Sequence, residues 1–353
     1  MKKFRLLAAL LAACALTAAN AAGRPLPEPT DSVVMSGLDN PRHLAFGPEG
    51  ALYVAEAGRG GSGPCIFIRG QTQCAGDSGA VSRFWRGTQQ RIATGFPSYA
   101  PAGGSGATGP HSISLHGRGG AYVTIGLGGE GDPIAFREVM GDEFGWTARF
   151  FPNGKWRFED DLAQYEVDNN PDGSPAPDSN PYGILAQPGG RVVIDSGGND
   201  LLHVRSNGRI STLGVFPSRP QGRSTDSVPT AVEVGPDGAY YVGELTGVPF
   251  PAGEARVYRV DPPHAPTVFL SGFTAIIDIA WGPDGRLYVL QFATGPGLTG
   301  PGVLIRVNAD GTRTPVVTDL IAPGGVVFGP DGAAYITNKS VLAGAGEVLR
   351  FEL

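Results

Sequence analysis

Residues 228–247 read VPTAVEVGPDGAYYVGELTG, and this stretch contains the unit from which the fold can be predicted. Two apolar segments, TAVEV and AYYVG, flank the four-residue motif GPDG. Their β-branched and aromatic residues favour strands, and Asp-Gly suits a tight reversal of the chain. The stretch therefore predicts a β-hairpin with GPDG at its turn.

Turns of this kind recur six times along the chain of 353 residues. The three GPDG motifs follow one another at intervals of 47 residues, and the earlier intervals are 48, 71 and 69 residues. Each motif lies between two strand-like segments, and two more complete most units. A period of about 40–50 residues with four short strands is typical of a β-propeller. The motifs are GPEG at 47–50, HGRG at 116–119, QPGG at 187–190, and GPDG at 235–238, 282–285 and 329–332.

Six units predict an all-β, six-bladed β-propeller with four-stranded blades. The last unit ends after its third strand, whereas SVVMSGL at 32–38 resembles TVFLSGF at 267–273, which is a fourth strand. We therefore expect the N-terminal strand to close the last blade and protect the sheet edges. This gives one propeller domain over 22–353. The longer early units predict insertions at about 57–80, 97–109 and 126–178.

The first 21 residues have the pattern of a secretory signal peptide. A basic start precedes an apolar segment at 6–16, and Ala-Asn-Ala at 19–21 fits a cleavage site. The alternative is a lipoprotein, because LAAC at 11–14 fits a lipobox and would leave a lipid anchor on Cys14. The pattern thus predicts a secreted or periplasmic protein. No later apolar run predicts a membrane span.

The composition indicates a globular protein with many turns. Gly 55 and Pro 31 make up about a quarter of the chain, yet 41% of the residues are hydrophobic and only 17% are charged. This argues against disorder and against long helices. Without residues 1–21, 24 basic side chains face 33 acidic ones, so we expect no nucleic-acid binding. We expect a monomer that binds a small molecule or a protein partner.

Cys65 and Cys74 stand nine residues apart in the first unit. In an oxidising compartment, such a pair is expected to form a disulfide that closes a short loop. Both lie in the sector 57–131, where glycines outside the turn motifs concentrate. We expect the features specific to this protein in that sector.

Four segments carry a family resemblance. They are SNPYGILAQPGGRVVIDSGGNDLL at 179–202, VPTAVEVGPDGAYYVGELTG at 228–247, ARVYRV at 255–260, and the cysteine pair before GAVSR at 79–83. These segments are similar to the ScyD/ScyE family, which is named after a bacterial sunscreen-pigment gene cluster. The resemblance covers the chain from about Gly37 to Leu353. It implies an exported six-bladed propeller of the broad NHL/SMP-30-like type, and it implies no catalytic residues.

Propeller sites usually form at the mouth of the central channel, on loops that enter each first strand and leave each second strand. Aligning the units identifies basic, acidic and amide side chains at these positions, which could coordinate a cation or hydrogen-bond a polar ligand. A solvated channel with polar walls is the plainer interpretation. The predicted mouth residues are Arg42, His43, Glu56, His111, Tyr182, Glu244, Asp278, Gln291 and Asn338.

The segment DNNPDGS at 168–174 is a second candidate site. Asp168, Asn170 and Asp172 occupy the first, third and fifth positions of a calcium loop. The closing Glu is absent, because Ser179 stands at the twelfth position, and an Asx-rich surface turn explains the same residues. A divalent cation such as calcium is therefore a hypothesis for the cofactor.

The sequence favours a non-enzymatic binding or interaction scaffold in the cell envelope or outside the cell. The alternative is a small-molecule enzyme with its site at the channel mouth. It could resemble a metal-dependent lactonase or hydrolase, or a quinone-dependent sugar dehydrogenase. The segment 37–56 is similar to the first blade of the dehydrogenase, whereas Arg42-His43 stands where the lactonase would carry a carboxylate. The sequence assigns no catalytic residue.

Overall fold

A computed structural model describes residues 31–117, 120–128, 131–221 and 223–353. The predicted signal peptide and Cys14 lie outside the described residues. The described chain is all-β, and its six four-stranded antiparallel blades form a six-bladed β-propeller. This confirms the fold predicted from the repeats. No described helix is long and apolar enough to cross a membrane.

The first described strand, β1 (Asp31–Leu38), belongs to blade 6. The chain then forms blade 1, in which β4 adds a hairpin to the four regular strands. The strands are β2 (Pro41–Phe46), β3 (Leu52–Glu56), β4 (Cys65–Ile68), β5 (Gln71–Trp85) and β6 (Thr88–Pro101).

Blade 2 contains four strands, and a short helix follows its second and its fourth strand. The elements are β7 (Pro110–His116), β8 (Gly120–Ile125), α1 (Pro133–Met140), β9 (Trp146–Phe150), β10 (Trp156–Asp161) and α2 (Leu162–Asn169).

Blades 3 and 4 are more regular and are separated by a two-stranded hairpin. Blade 3 consists of β11 (Pro181–Gln187), β12 (Gly190–Asp195), β13 (Asp200–Arg205) and β14 (Ile210–Val215). The hairpin is β15 (Arg219–Gln221) and β16 (Arg223–Thr225). Blade 4 consists of β17 (Pro229–Val234), β18 (Tyr240–Glu244), β19 (Ala255–Val260) and β20 (Thr267–Phe273).

Blades 5 and 6 follow the 47-residue period. Blade 5 consists of β21 (Ile276–Trp281), β22 (Leu287–Gln291), β23 (Gly302–Val307) and β24 (Arg313–Leu320), with a 3-10 turn at Pro296–Leu298. Blade 6 consists of β25 (Gly325–Phe328), β26 (Ala334–Asn338), β27 (Gly346–Phe351) and β1.

The three stretches predicted as insertions contain both regular and additional elements. The stretch 57–80 holds β4 and the first half of β5, and 97–109 holds the end of β6 and the loop after it. The stretch 126–178 includes β9 and β10, which are regular strands of blade 2, besides both helices. The additions therefore concentrate at one sector of the ring.

The acidic residue of the turn motif bonds a tyrosine four residues later in four blades. The pairs are Glu49 with Tyr53, Asp237 with Tyr241 (3.3 Å), Asp284 with Tyr288 (3.2 Å) and Asp331 with Tyr335 (3.0 Å). In blades 4 and 6 an arginine of the third strand joins the carboxylate, so Arg259 and Arg350 lower the pKa of Asp237 and Asp331. These contacts support a structural role for the motif.

The predicted disulfide joins Cys65 to Cys74, which face each other across β4 and β5. The two strands are connected by Arg69-Gly70, both with positive φ, as a two-residue hairpin turn requires. At the tip of this stapled hairpin, the Arg69 side chain donates a hydrogen bond to the Gly128 carbonyl of blade 2.

Strand β1 closes the ring by pairing with β27, from Asp31 opposite Phe351 to Leu38 opposite Gly346. Met35 and Leu38 are each 1% exposed, and their cluster includes Leu44 of blade 1. The closure predicted from the termini is therefore present, and it also fills the core between the first and last blades.

We expect Met35→Ala to lower the free energy of unfolding by about 2–5 kcal/mol, because it leaves a cavity beside the closing strand. Val33→Ala on the same strand is the matched control, since Val33 is 57% exposed and should change stability by less than about 0.5 kcal/mol. Urea denaturation of both variants checks this. Equal effects of the two substitutions would contradict the closing role of β1.

Candidate functional site

A cavity of about 800 Å³ lies at the end of the channel where the first strands begin. We call it the mouth cavity. The second residue of the first strand lines it in blades 1, 3, 4 and 5, and loops after the second strands complete it. The first-strand residues are Arg42, Tyr182, Thr230 and Ile277. This is the location expected for a propeller site.

The two sides of the mouth cavity differ in chemistry. Polar groups come from blades 1 to 4, and they include Arg42, Arg69, Asp178, Asn180 and Tyr182. The other side is apolar and is built mainly by loops after the second strands of blades 4 to 6. Its residues are Val228, Leu245, Val248, Phe250, Ile277, Phe292, Leu298 and Val341.

Arg42 is the central cation of the polar side. One guanidinium nitrogen donates to the Ala107 carbonyl (2.7 Å), while Nε is buried without a hydrogen-bond partner among the described residues. Burial lowers the pKa of Arg42, and the nearby Tyr182 opposes that effect. Arg69 adds a second cation to the same wall.

His111 lies behind this wall and does not line the mouth cavity. Its ring is 4.7 Å from that of Tyr182, and Nδ1 is 3.3 Å from the Pro181 carbonyl. Burial, helped by the charges of Arg42 and Arg69, lowers the pKa of His111 to about 3. The imidazole is therefore neutral at physiological pH and supports the tyrosine ring.

Asp178 provides a titratable carboxyl in the mouth cavity. One of its oxygens is buried without a hydrogen-bond partner among the described residues. Burial and the nearby Asp195 raise the pKa of Asp178 to about 7, although Arg69 acts in the opposite direction. This group can therefore gain or lose a proton near neutral pH.

A second cavity of about 200 Å³ follows the channel inward, and Tyr182, Thr230 and Ile277 border both cavities. His43 Nε2 lies 3.4 Å from Asp278 Oδ2 across the channel. Burial lowers the pKa of His43 to about 4 and raises that of Asp278 to about 7. Glu233, also on the channel wall, has a pKa raised to about 8 by burial and by Asp278.

The four predicted mouth residues that end second strands line neither the mouth cavity nor the second cavity. Each stands at the end of a second strand and accepts a hydrogen bond from the loop that enters the first strand of its own blade. The donor residue always lies two positions before the residue that stands six positions ahead of the turn motif, which is proline in most blades. The pairs are Glu56 with Asp39 N (2.7 Å), Glu244 with the Ser227 hydroxyl (2.6 Å), Gln291 with Thr274 N (2.9 Å) and Asn338 with Ile321 N (2.7 Å).

We call these side chains loop latches, and Asp195 is the member of the set in blade 3. It pairs with Pro181 across the strands, as Glu56 pairs with Pro41, and it accepts a hydrogen bond from the Ser179 hydroxyl (2.6 Å). The five latch side chains are buried, and none lines the mouth cavity. A buried backbone or hydroxyl donor needs an acceptor, so the latches hold the entering loops in place.

We expect Glu56→Ala to destabilise the fold by about 1–3 kcal/mol, because Asp39 N–H and the Ser82 hydroxyl would lose their acceptor. The substitution also removes the ion pair of this carboxylate with Arg91 (2.6 Å). Glu352→Ala is a matched control, since that carboxylate is 67% exposed and bonds only the exposed side of Arg350. Denaturant titration of the two variants gives the comparison. If the Glu56 variant is no less stable than the control, the latch assignment fails.

The predicted calcium loop is divided in the structure. Asp168 is exposed on α2 and accepts from Gln164 (2.9 Å), whereas Asn170 ends the helix in a left-handed conformation. Asp172 accepts from Ser174 N (2.8 Å) and from Asn199 (3.0 Å) of blade 3. Within the described parts of the chain, no three His, Cys, Asp or Glu side chains stand ready to hold a metal ion.

Sequence reasoning placed Arg42, His43, Tyr182 and Asp278 at the mouth, whereas in the structure His43 and Asp278 lie farther along the channel. It did not identify Arg69, Asp178 or Glu233. Arg69 lies in the cysteine-containing sector that the sequence marked as distinctive. Glu233 had a detectable signal, because it is a carboxylate at a first-strand position that is small or apolar in the other blades. Asp178 had none, since its position depends on the path of a long loop.

Solved structures share this fold. A glucose dehydrogenase aligns with a TM-score of 0.53 at 13% identity, over 92% of this chain and 99% of that one. The virginiamycin B lyase of Staphylococcus aureus gives 0.51 at 12%, over 92% and 99%, and a candidate gluconolactonase gives 0.52 at 10%, over 93% of both chains. These similarities show the six-bladed propeller fold.

No family model and no curated protein matches the chain. The ScyD/ScyE resemblance therefore remains a sequence-based expectation, and at these identities the solved structures establish the fold alone.

Proposed function

We propose that the chain binds a small organic anion with an apolar body in the mouth cavity. The observation that carries this proposal is the opposition of two guanidinium groups, Arg42 and Arg69, to an apolar wall across about 800 Å³. Cavities of this size bury most of a small ligand. The primary function is binding, in keeping with a protein that acts as a receptor or carrier rather than as a catalyst.

The arginines support an anionic ligand because neither forms an ion pair with a described carboxylate, and Arg42 Nε has no described hydrogen-bond partner. Arg69 is exposed, but Arg42 is partly buried, and a partly buried guanidinium without a counter-ion is costly. A ligand carboxylate or phenolate would supply both charge and acceptor oxygens. Tyr182, which lies near Arg42, adds a hydroxyl beside the same position.

The apolar wall supports a ligand body that is hydrophobic and flat. Phe250 and Phe292 lie on this wall with aliphatic side chains from three blades. Val248, beside them, is 74% exposed and extends the apolar surface of this wall. A polar sugar would leave the apolar side chains of this wall exposed to water, so an aromatic or aliphatic acid fits better.

We expect 2-naphthoate to bind and the neutral 2-naphthamide to bind much more weakly. Arg42→Gln and Arg69→Gln should each weaken naphthoate binding by about 10-fold or more, because each removes a charge-assisted contact. Arg205→Gln, an exposed arginine of β13, is the control and should bind as the parent does. Calorimetry measures all four proteins. Equal affinity for 2-naphthoate and 2-naphthamide would contradict the proposal.

Binding of the anion should strengthen as pH falls from 8 to 6. Asp178, with a pKa raised to about 7, loses its negative charge over this interval, while the His111 pKa of about 3 keeps that ring neutral throughout. Asp178→Asn should bind tightly at both pH values and lose the pH dependence. A pH profile of the naphthoate dissociation constant tests this, and an unchanged profile in the variant would exclude Asp178 as the titrating group.

A small-molecule enzyme at the same mouth is the second candidate. Its specific support is Asp178, whose pKa of about 7 suits a general acid or base. The two arginines would also suit a carboxylated quinone, as a quinone-dependent sugar dehydrogenase requires. A metal-dependent lactonase fits less well, because Glu56 and Glu244 serve as loop latches. Dye-coupled sugar oxidation after quinone loading separates this candidate from binding alone.

A further inference from the structure

A group of acidic side chains lies where α2 meets blade 3, behind the wall of the mouth cavity. We call Glu166, Asp172, Asp195 and Asp200 the acidic cluster. Glu166 comes from α2, Asp172 from the loop after it, and the other two from both ends of the turn between β12 and β13. A methyl group on Gly198 in that turn would lie 2.7 Å from Glu166 Oε2 and 3.6 Å from Asp195 Cγ, so these two carboxylates approach one point.

Two members of the acidic cluster have no partners. Glu166 is 1% exposed and Asp200 is 0% exposed, and none of their four carboxylate oxygens has a hydrogen-bond partner among the described residues. Asn170 Oδ1, one turn after Glu166, is also buried without a described partner. By contrast, Asp195 accepts hydrogen bonds from Ser179, Asn180, Gly197 and Gly198.

Nothing described nearby neutralises this charge. No Arg, Lys or His of the described chain forms an ion pair with any member of the acidic cluster. Burial, followed by the charge of Asp195, raises the pKa of Glu166 to about 8, and burial with three neighbouring carboxylates raises that of Asp200 well above its usual range. An uncompensated buried carboxylate costs several kcal/mol, so either a proton or a cation must occupy the cluster.

We propose that the acidic cluster binds a hard divalent cation, Ca²⁺, with Glu166 and Asp200 as carboxylate ligands and Asn170 Oδ1 as an amide ligand. All of these donors are oxygens, which suit Ca²⁺ and not the metals that prefer thiolate or imidazole. Ca²⁺ accepts six to eight ligands in flexible geometry, so backbone carbonyls and water complete its shell where a third carboxylate is not in place.

This site differs from the calcium loop predicted from the sequence. It excludes the exposed Asp168, keeps Asn170, and takes its carboxylates from residues that are distant in the chain. Its role is structural, because the cation joins α2 and the following loop to blade 3. That loop carries Asp178 and Asn180 into the mouth cavity, but the inference does not depend on which ligand the mouth binds.

The test uses the full protein after removal of metal with a chelator. Millimolar calcium chloride should raise the melting temperature by on the order of 5 °C, and elemental analysis should find about one Ca²⁺ per chain. Asp200→Asn and Glu166→Gln should lose this response. Without calcium they should be at least as stable as the parent, because each removes a buried charge, so their loss of response would not reflect misfolding.

Asp168→Asn is the matched control, since it neutralises a carboxylate on the same helix that is exposed, and it should keep the full response. Absence of bound calcium and of any calcium-dependent melting shift in the parent would overturn the proposal and leave protonation as the means of neutralisation. Loss of the response in Asp168→Asn would overturn it in favour of the linear loop. If a variant fails to fold, calorimetric titration of the parent decides, and no heat of binding would refute the site.

Discussion

The pairing of β1 with β27 is the interaction on which the rest of the structure depends. It joins residues more than 300 positions apart in sequence, from Asp31 opposite Phe351 onward, and no covalent link between described residues replaces it. The first strand of every blade borders the channel, so the channel has a fixed width only when the ring is closed. The mouth cavity draws on loops from all six blades, and it exists only in that closed arrangement.

Besides ion-paired carboxylates such as Asp160, which bonds Arg191, three groups of carboxylates in this propeller are distinguished by their partners. Turn acids such as Asp284 bond a tyrosine at the hairpin between the first and second strands, and latch acids such as Glu244 bond the entering loop. Glu166 and Asp200 have no described hydrogen-bond partner at all. The same side-chain type thus stabilises a turn, fixes a loop or creates a cation-binding potential, depending on which donors the fold brings within reach.

The repeat made the fold predictable because it fixes local geometry. GPDG, the strand after it and the missing fourth strand at the C-terminus together specify hairpins, blade size and ring closure. Within the site, first-strand positions were partly predictable for the same reason: Arg42 and Tyr182 line the mouth cavity, whereas His43 and Asp278 lie deeper in the channel and His111 lies behind the wall.

The second-strand ends were harder to interpret, because alignment gives a position but not a direction or a partner. Glu56 and Asn338 stand at the repeat position expected for the mouth, yet each accepts a hydrogen bond from a backbone N–H of the loop that enters the first strand. The donor lies 17 residues before the acceptor in these two latches and in those of Glu244 and Gln291, and 16 residues before it in that of Asp195. The pattern was therefore present in the sequence, but only the folded backbone shows which donor meets which acceptor. Arg69 and Asp178 depend on long loops and follow no period.

Asp178 lies on the loop after α2, between the mouth cavity on one side and the acidic cluster on the other, and it interacts electrostatically with both. Arg69 favours its charged form from the mouth side, whereas Asp195 of the acidic cluster opposes that form from behind. Asp195 also holds Asn180 N–H, which keeps the loop close to the cluster (2.6 Å). A positive charge at the cluster would weaken the repulsion that Asp178 feels and favour its ionised form. The protonation of the mouth is therefore linked through this loop to whatever neutralises the carboxylates behind it.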